Sequence, residues 1–255
     1  MKFLNTAAVA ALVVAAVPSF AAISLDKGNS EMTLTVWSVG AQASYLQDLG
    51  ITLDAFKAGP ASFNGFSAAV TSELTSHVNL SSAADLQWMV AAYQLNGDLT
   101  TGTLQLQTTV NAATAAPSVT GARIQDGTAT WFDYIATNNF RTSQNSVANG
   151  SSYSTPGSSA YFLSDGGPTG NNNNNLSFSQ GNAQNIAANF WYFTPSDPDF
   201  GDVDATGIKY AGQWKFDGAA VSYASPSPVP EPQTYALMLA GLAGLALLVR
   251  RRSQR

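Results

Sequence analysis

Between Glu31 and Val39 apolar and polar positions alternate, with Met32, Leu34 and Val36 on one side and Thr33, Thr35 and Trp37 on the other. A period of two marks a half-buried strand. Further strands are predicted at Leu86 to Leu95, Thr103 to Val110, Ala160 to Leu163, Leu176 to Gln180, Ile186 to Thr194, Gln213 to Phe216 and Ala219 to Tyr223. They are punctuated by Asn96-Gly97-Asp98, Asp165-Gly166-Gly167-Pro168 and Asp217-Gly218. Asp-Gly between two short strands is a hairpin signal, because Gly takes the positive φ that a tight turn needs. Short helices are predicted around Phe66 to Thr75 and near Ala112 to Ala116. The stretch from Asn138 to Asn185, rich in Asn, Ser and Gly, reads as long surface loops around one or two strands. No period of 20 to 50 residues recurs, which disfavours a solenoid or propeller. The pattern predicts an all-β fold: a single β-sandwich or jelly-roll-like ectodomain with one or two short helices.

The two ends depart from this pattern. After Lys2 an uncharged run from Thr6 to Val17 is made almost wholly of Ala, Val and Leu, and Pro18, Ser19, Phe20, Ala21 and Ala22 follow. A basic start, an apolar middle and a small-x-small site are the parts of a secretory signal peptide, here residues 1–21. Cleavage after Ala21 places Ser19 and Ala21 in the two small pockets of a signal peptidase. The apolar run is too short to span a bilayer, which takes about 20 residues. At the other end, residues 225–232 alternate Pro with small residues and form an extended spacer that cannot join a sheet. Residues 233–255 then carry an uncharged, Leu-rich run from Tyr235 to Val249, followed by Arg250, Arg251 and Arg252. The run reads as a short membrane helix whose arginines stay on the cytoplasmic side, leaving residues 22–224 outside.

Val229, Pro230, Glu231 and Pro232, then the apolar run, then Arg250, Arg251 and Arg252 resemble the PEP-CTERM sorting signal of Gram-negative bacteria that make exopolysaccharide. The resemblance implies recognition by a membrane-embedded cysteine transpeptidase, the exosortase, which cleaves near the Pro-Glu-Pro element. The helix is then a transient inner-membrane address, and the mature protein keeps no membrane span. The implied destination is the cell surface, outer membrane or extracellular matrix. Gly28 to Phe56 also resembles a module recurring in PEP-CTERM ectodomains, which implies a β domain and carries no catalytic residues.

Composition narrows the function classes. The whole chain has a net charge of −5, but between residues 22 and 224 only six Lys and Arg stand against fifteen Asp and Glu. An acidic, cation-poor surface argues against nucleic acid and anionic lipid as partners and accommodates divalent cations, basic partners or neutral sugars. No cysteine is present, so stability rests on a buried core without disulfides, and thiol catalysis and cysteine-ligated metals are excluded. Five Trp and frequent Phe, Tyr, Val and Leu supply enough apolar area for a fold.

Candidate chemistry is sparse. Asp197, Asp199, Asp202 and Asp204 form the densest polar cluster. Their mutual repulsion would be relieved by calcium, although the spacing is not that of an EF-hand and an acidic turn explains the same residues. Trp131 and Trp191, with neighbours Phe132, Tyr134, Phe190, Tyr192 and Phe193, are candidate platforms for stacking on exopolysaccharide, against the plainer reading that they pack a core. Four consecutive aromatics in a strand must place rings on both faces. His77 is the sole histidine, and no Gly-x-Ser-x-Gly elbow occurs. The expectation is a non-enzymatic, structural or adhesive protein of the surface or matrix, without an obligatory cofactor. A carbohydrate-binding or calcium-binding lectin-like module is the alternative, and a polysaccharide hydrolase ranks last.

Overall fold

The computed structural model describes residues 22–24, 29–95, 104–113, 119–141, 144, 147, 149–164, 181–195 and 205–226. The chain divides into two compact units, one ending at Ser225 and the other beginning at Pro226. All described strands and helices belong to the first. In chain order the strands are β1 (Glu31–Ser38), β2 (Ala43–Thr52), β3 (Phe66–Ala69), β4 (Gln87–Leu95), β5 (Leu104–Asn111), β6 (Ser151–Ser154), β7 (Asn182–Ala183), β8 (Ala187–Thr194), β9 (Thr206–Phe216) and β10 (Ala220–Ala224). The helices are α1 (Leu53–Ala58), α2 (Ser72–Thr75), α3 (Val78–Ser81) and α4 (Gly121–Asn139).

The strands form one curled antiparallel sheet in the order β3-β10-β9-β8-β5-β4-β1-β2-β6, with the short β7 paired to β4. Alternation sorts the central side chains onto two faces, and both are covered. On one face Met32, Leu34 and Val36 of β1 join Trp88 and Val90 of β4, Phe190 of β8 and Trp214 and Phe216 of β9. Leu53 and Phe56 of α1, Leu74 of α2 and Leu80 of α3 close this core. Phe56 is its hub, with ring centroids 5.1 Å from Phe190, 5.1 Å from Tyr223 and 5.3 Å from Tyr210. On the other face Trp37, Leu46, Met89, Tyr93, Leu106 and Phe193 pack against Ile124, Trp131, Tyr134 and Ile135 of α4. Burying each large apolar side chain contributes roughly 1.5–3 kcal/mol, so two covered faces give this cysteine-free chain an ample core.

The mostly β architecture expected from the alternation is present, and β1 follows the expected facing, with Met32, Leu34 and Val36 opposite Trp37. The Asp217-Gly218 hairpin is also found, joining β9 to β10. Asp217 N–H donates to the Ala220 carbonyl at 3.1 Å, and its carboxylate accepts from the N–H groups of Ala219 and Ala220 at 2.8 Å each. Those donors hold the Asp217 carboxyl below the usual carboxylate range. Gly218 sits at φ +97, where an added Cβ would also lie 2.2 Å from Gln184 Nε2. Gly218→Ala is therefore expected to cost about 1–2 kcal/mol in a urea titration, most of it backbone strain because the Gln184 tip can move aside.

Two local expectations are corrected. Phe66–Ala69, read as the start of a helix, is strand β3, because pairing of Phe66 with Tyr223 and Ala68 with Val221 on β10 satisfies its backbone. The helix is confined to Ser72–Thr75. Ala160 to Leu163, read as a strand, forms two turns, with Tyr161 N–H donating to the Ser158 carbonyl (3.0 Å) and Ser164 N–H to the Tyr161 carbonyl (3.1 Å). Ala112 and Ala113 lie in a turn, and residues 114–116 of that expected helix are outside the described residues, as is the expected strand Leu176 to Gln180. The 19-residue α4 was not expected at all.

Candidate functional site

Helix α4 lines one side of a concave surface. Thr120 caps its start by accepting the Arg123 N–H. Its buried stripe runs through Ile124, Thr128, Trp131, Ile135 and Asn138, the three-and-four spacing of one helical face. Asn138 ends that stripe as a polar rivet. Its amide donates to the Tyr134 carbonyl (2.9 Å) and the Ala160 carbonyl (3.4 Å), and its oxygen accepts from Ser152 Oγ (2.5 Å). The segment 155–164 folds back over the helix and is pinned by Phe162. Its ring packs 4.6 Å from Trp37 and 5.5 Å from Tyr134, and its N–H donates to Ser44 Oγ (3.0 Å).

Between α4 and this segment lies a cleft of about 550 Å³. Asp133 and Thr137 form one wall, and Pro156, Ser158, Ser159 and Tyr161 the other. Arg141 braces the rim from outside the lining, donating to Ser154 Oγ (2.7 Å) and Ser158 Oγ (3.1 Å). Burial raises the Tyr161 phenol above its ordinary range, so it stays neutral. None of the four residues highlighted here was singled out from sequence: Asp133, Thr137, Ser158 and Tyr161 carry no motif, and only the packing of α4 brings them together.

The candidate stacking residues separate. Trp131 is 1 % exposed, with its ring 5.2 Å from Tyr93 and 5.6 Å from Tyr134, so the expectation of a ligand platform there is corrected: the helix turns it into the core. Trp191 is partly exposed on β8 beside Phe193, 5.9 Å between ring centroids, and lies opposite Lys209 of β9. The four aromatics of β8 do divide between faces, Phe190 and Trp191 belonging to different cores.

His77 is committed locally. Its ring stacks on Tyr153 at 3.6 Å, and Nδ1 lies 2.7 Å from the Glu73 carbonyl oxygen, which can only accept, so Nδ1 carries the proton. Among the described residues the most perturbed carboxyl is Asp48 on β2, also unmarked in the sequence reading. It is fully buried, with Oδ1 accepting the Gly50 N–H at 2.8 Å and Oδ2 lacking a hydrogen bond among the described residues. Burial, reinforced by repulsion from Glu31, pushes its pKa up to about 7 against the opposing Gly50 N–H.

Among the described residues no group of three His, Asp or Glu side chains is placed to hold a metal ion. Asp197, Asp199, Asp202 and Asp204 lie outside the described residues, in the connection between β8 and β9. So do Ser19 and Ala21 of the expected export signal and the whole C-terminal element, Val229 to Pro232 and Arg250 to Arg252 included. Among the described residues no helix is long and apolar enough to cross a membrane.

Comparison with known families decides what that C-terminal element is. Residues 228–252 match the PEP-CTERM protein-sorting motif. This chain carries a PEP-CTERM sorting signal. The match spans Val229, Pro230, Glu231, Pro232 and the three arginines that the sequence reading had singled out. Neither comparison with curated proteins nor comparison with solved structures gives a match. A PEP-CTERM signal implies export through a membrane-associated sorting system, with exosortase as the processing partner.

Proposed function

We propose that the PEP-CTERM signal delivers a non-enzymatic β domain to the cell surface or extracellular polysaccharide matrix, where it serves a structural or adhesive role. The observation that carries this reading is the sorting signal at residues 228–252. The surface chemistry is compatible with it. Charged residues make up only 11 % of the chain, so the domain meets its surroundings mainly through hydroxyls and amides, which exchange readily between water and polysaccharide hydroxyls.

The reading is tested in the native host by separating cells, washed matrix and medium. Most of the protein is expected with the cell surface and matrix, and it should shift into the medium in a strain that makes no exopolysaccharide. An unchanged distribution in that strain would remove the matrix role.

A further inference from the structure

From the cleft between α4 and residues 155–164 we infer that this protein binds a neutral saccharide unit there, through an adjacent pair of hydroxyl groups on the sugar ring. The inference names a ligand class for the matrix role proposed above and rests on that reading for its biological setting only. Its physical basis is the directionality of the groups lining the cleft.

Thr137 Oγ1 donates its proton to the Asp133 carbonyl at 2.8 Å, so its lone pairs are what remain for a ligand. The Asp133 carboxylate is exposed and only accepts. Ser158 Oγ already accepts twice, from Arg141 at 3.1 Å and from the Ala160 N–H at 3.2 Å, which leaves its own O–H to donate. One wall therefore accepts hydrogen bonds while Ser158 on the facing rim has a proton to donate. A sugar hydroxyl is donor and acceptor at once, and two neighbouring hydroxyls satisfy both walls together.

Other ligand classes fit less well. No Lys or Arg lines the cleft, and Asp133 repels a uronate or phosphate. A divalent cation prefers six or more oxygen ligands with several carboxylates, and the lining supplies one carboxylate. A cleft of about 550 Å³ falls within the range of about 300–1,000 Å³ that holds small ligands. Pro156 and Leu163 give the C–H face of a sugar ring an apolar surface to rest on.

The test uses the mature protein purified from its host, titrated with the methyl glycosides of glucose, galactose, mannose and N-acetylglucosamine and with glucuronate, read by ligand-observed NMR. Saturable binding of at least one neutral glycoside is expected, with glucuronate at least about tenfold weaker. Asp133→Asn should weaken the neutral glycoside about tenfold, since a charge-assisted hydrogen bond becomes a neutral one, and should narrow the discrimination against glucuronate. Its melting temperature should not change, because Asp133 is exposed. No saturable binding of any neutral glycoside, equal binding of glucuronate, or an affinity untouched by Asp133→Asn would each overturn the assignment. Matrix retention separates the two ideas. If the Asp133→Asn protein loses glycoside binding but stays in the matrix, the cleft is real and is not what anchors the protein. If wild type binds glycoside but is never matrix-associated, the matrix role fails and the site stands.

Discussion

Asp48→Asn is expected to stabilise the domain at pH 8 relative to pH 5 and to flatten the wild-type dependence of stability on pH. The folded-state pKa of Asp48 is raised from 3.8 to about 7. Between those values the folded protein keeps a proton that the unfolded chain has lost. The stability linked to this proton is full below about pH 4, falls as pH rises, and is gone above about pH 7. A displacement of this size corresponds to roughly 4 kcal/mol, an upper figure for a buried carboxyl whose surroundings relax. Asn cannot ionise, keeps an oxygen for the Gly50 N–H, and forfeits some of the gain because its NH₂ meets a site with no described acceptor. The net stabilisation at pH 8 should be about 2 kcal/mol, measured as the wild-type–variant difference in urea unfolding at pH 5 and pH 8. A difference that does not change with pH would show that Asp48 is ionised in the fold at little cost. Taking the difference cancels the diffuse repulsion of the other carboxylates, which also eases in acid.

Replacing Pro230, Glu231 and Pro232 together by alanine is expected to have the larger consequence in the cell. The expectation rests on the sorting motif matched at residues 228–252 and on the chemistry of proline, which fixes φ and removes backbone donors and so disfavours helix at these positions. Alanine removes that constraint and favours helix instead, since Ala has the highest helix propensity. The altered chain should accumulate in the membrane fraction at the mass of the unprocessed form, with released protein reduced at least about tenfold. Normal mass and normal release would show that processing does not read these three residues. Because they lie outside the β domain, its melting temperature gives an internal control: it should be the same in both proteins.

The two experiments address features of unequal legibility. The sorting signal is a linear pattern of order, spacing and charge, so Val229 to Pro232 and the arginines at 250 to 252 were recognisable without a fold. The β1 alternation and the Asp217-Gly218 turn are equally local: a strand's facing and a tight turn's φ are set within a few residues. Helix α4 was missed although Ile124, Trp131 and Ile135 sit at helical spacing. Thr128 interrupts the buried stripe and Asn138 ends it, so the stripe looks polar until the sheet is laid beneath it. Of the two readings open for Trp131, stacking platform or core, only the fold could choose the core. Asp48 was invisible for a related reason. On an alternating strand its position reads as solvent-facing, and nothing local tells that the second face of the sheet is covered too.

The cleft shows the same limit. Asp133 and Ser158 are far apart along the chain, in a helix and in a turn, and neither belongs to a recognisable motif. They face one another because Phe162 plugs into the core between Trp37 and Tyr134 and because Asn138 ties the helix to Ala160 and Ser152. By itself, then, the sequence determined the export address, the β character and the acidic, cysteine-free chemistry of the domain, all of which depend on residue type and short-range order. Tertiary structure alone decided that the sheet is covered on both faces, that Trp131 and Asp48 are buried, and that a donor and an acceptor wall meet across a cleft. Burial and juxtaposition are properties of segments brought together from distant parts of the chain, and the free energy that brings them together is the removal of apolar surface from water, which no short window of residues contains.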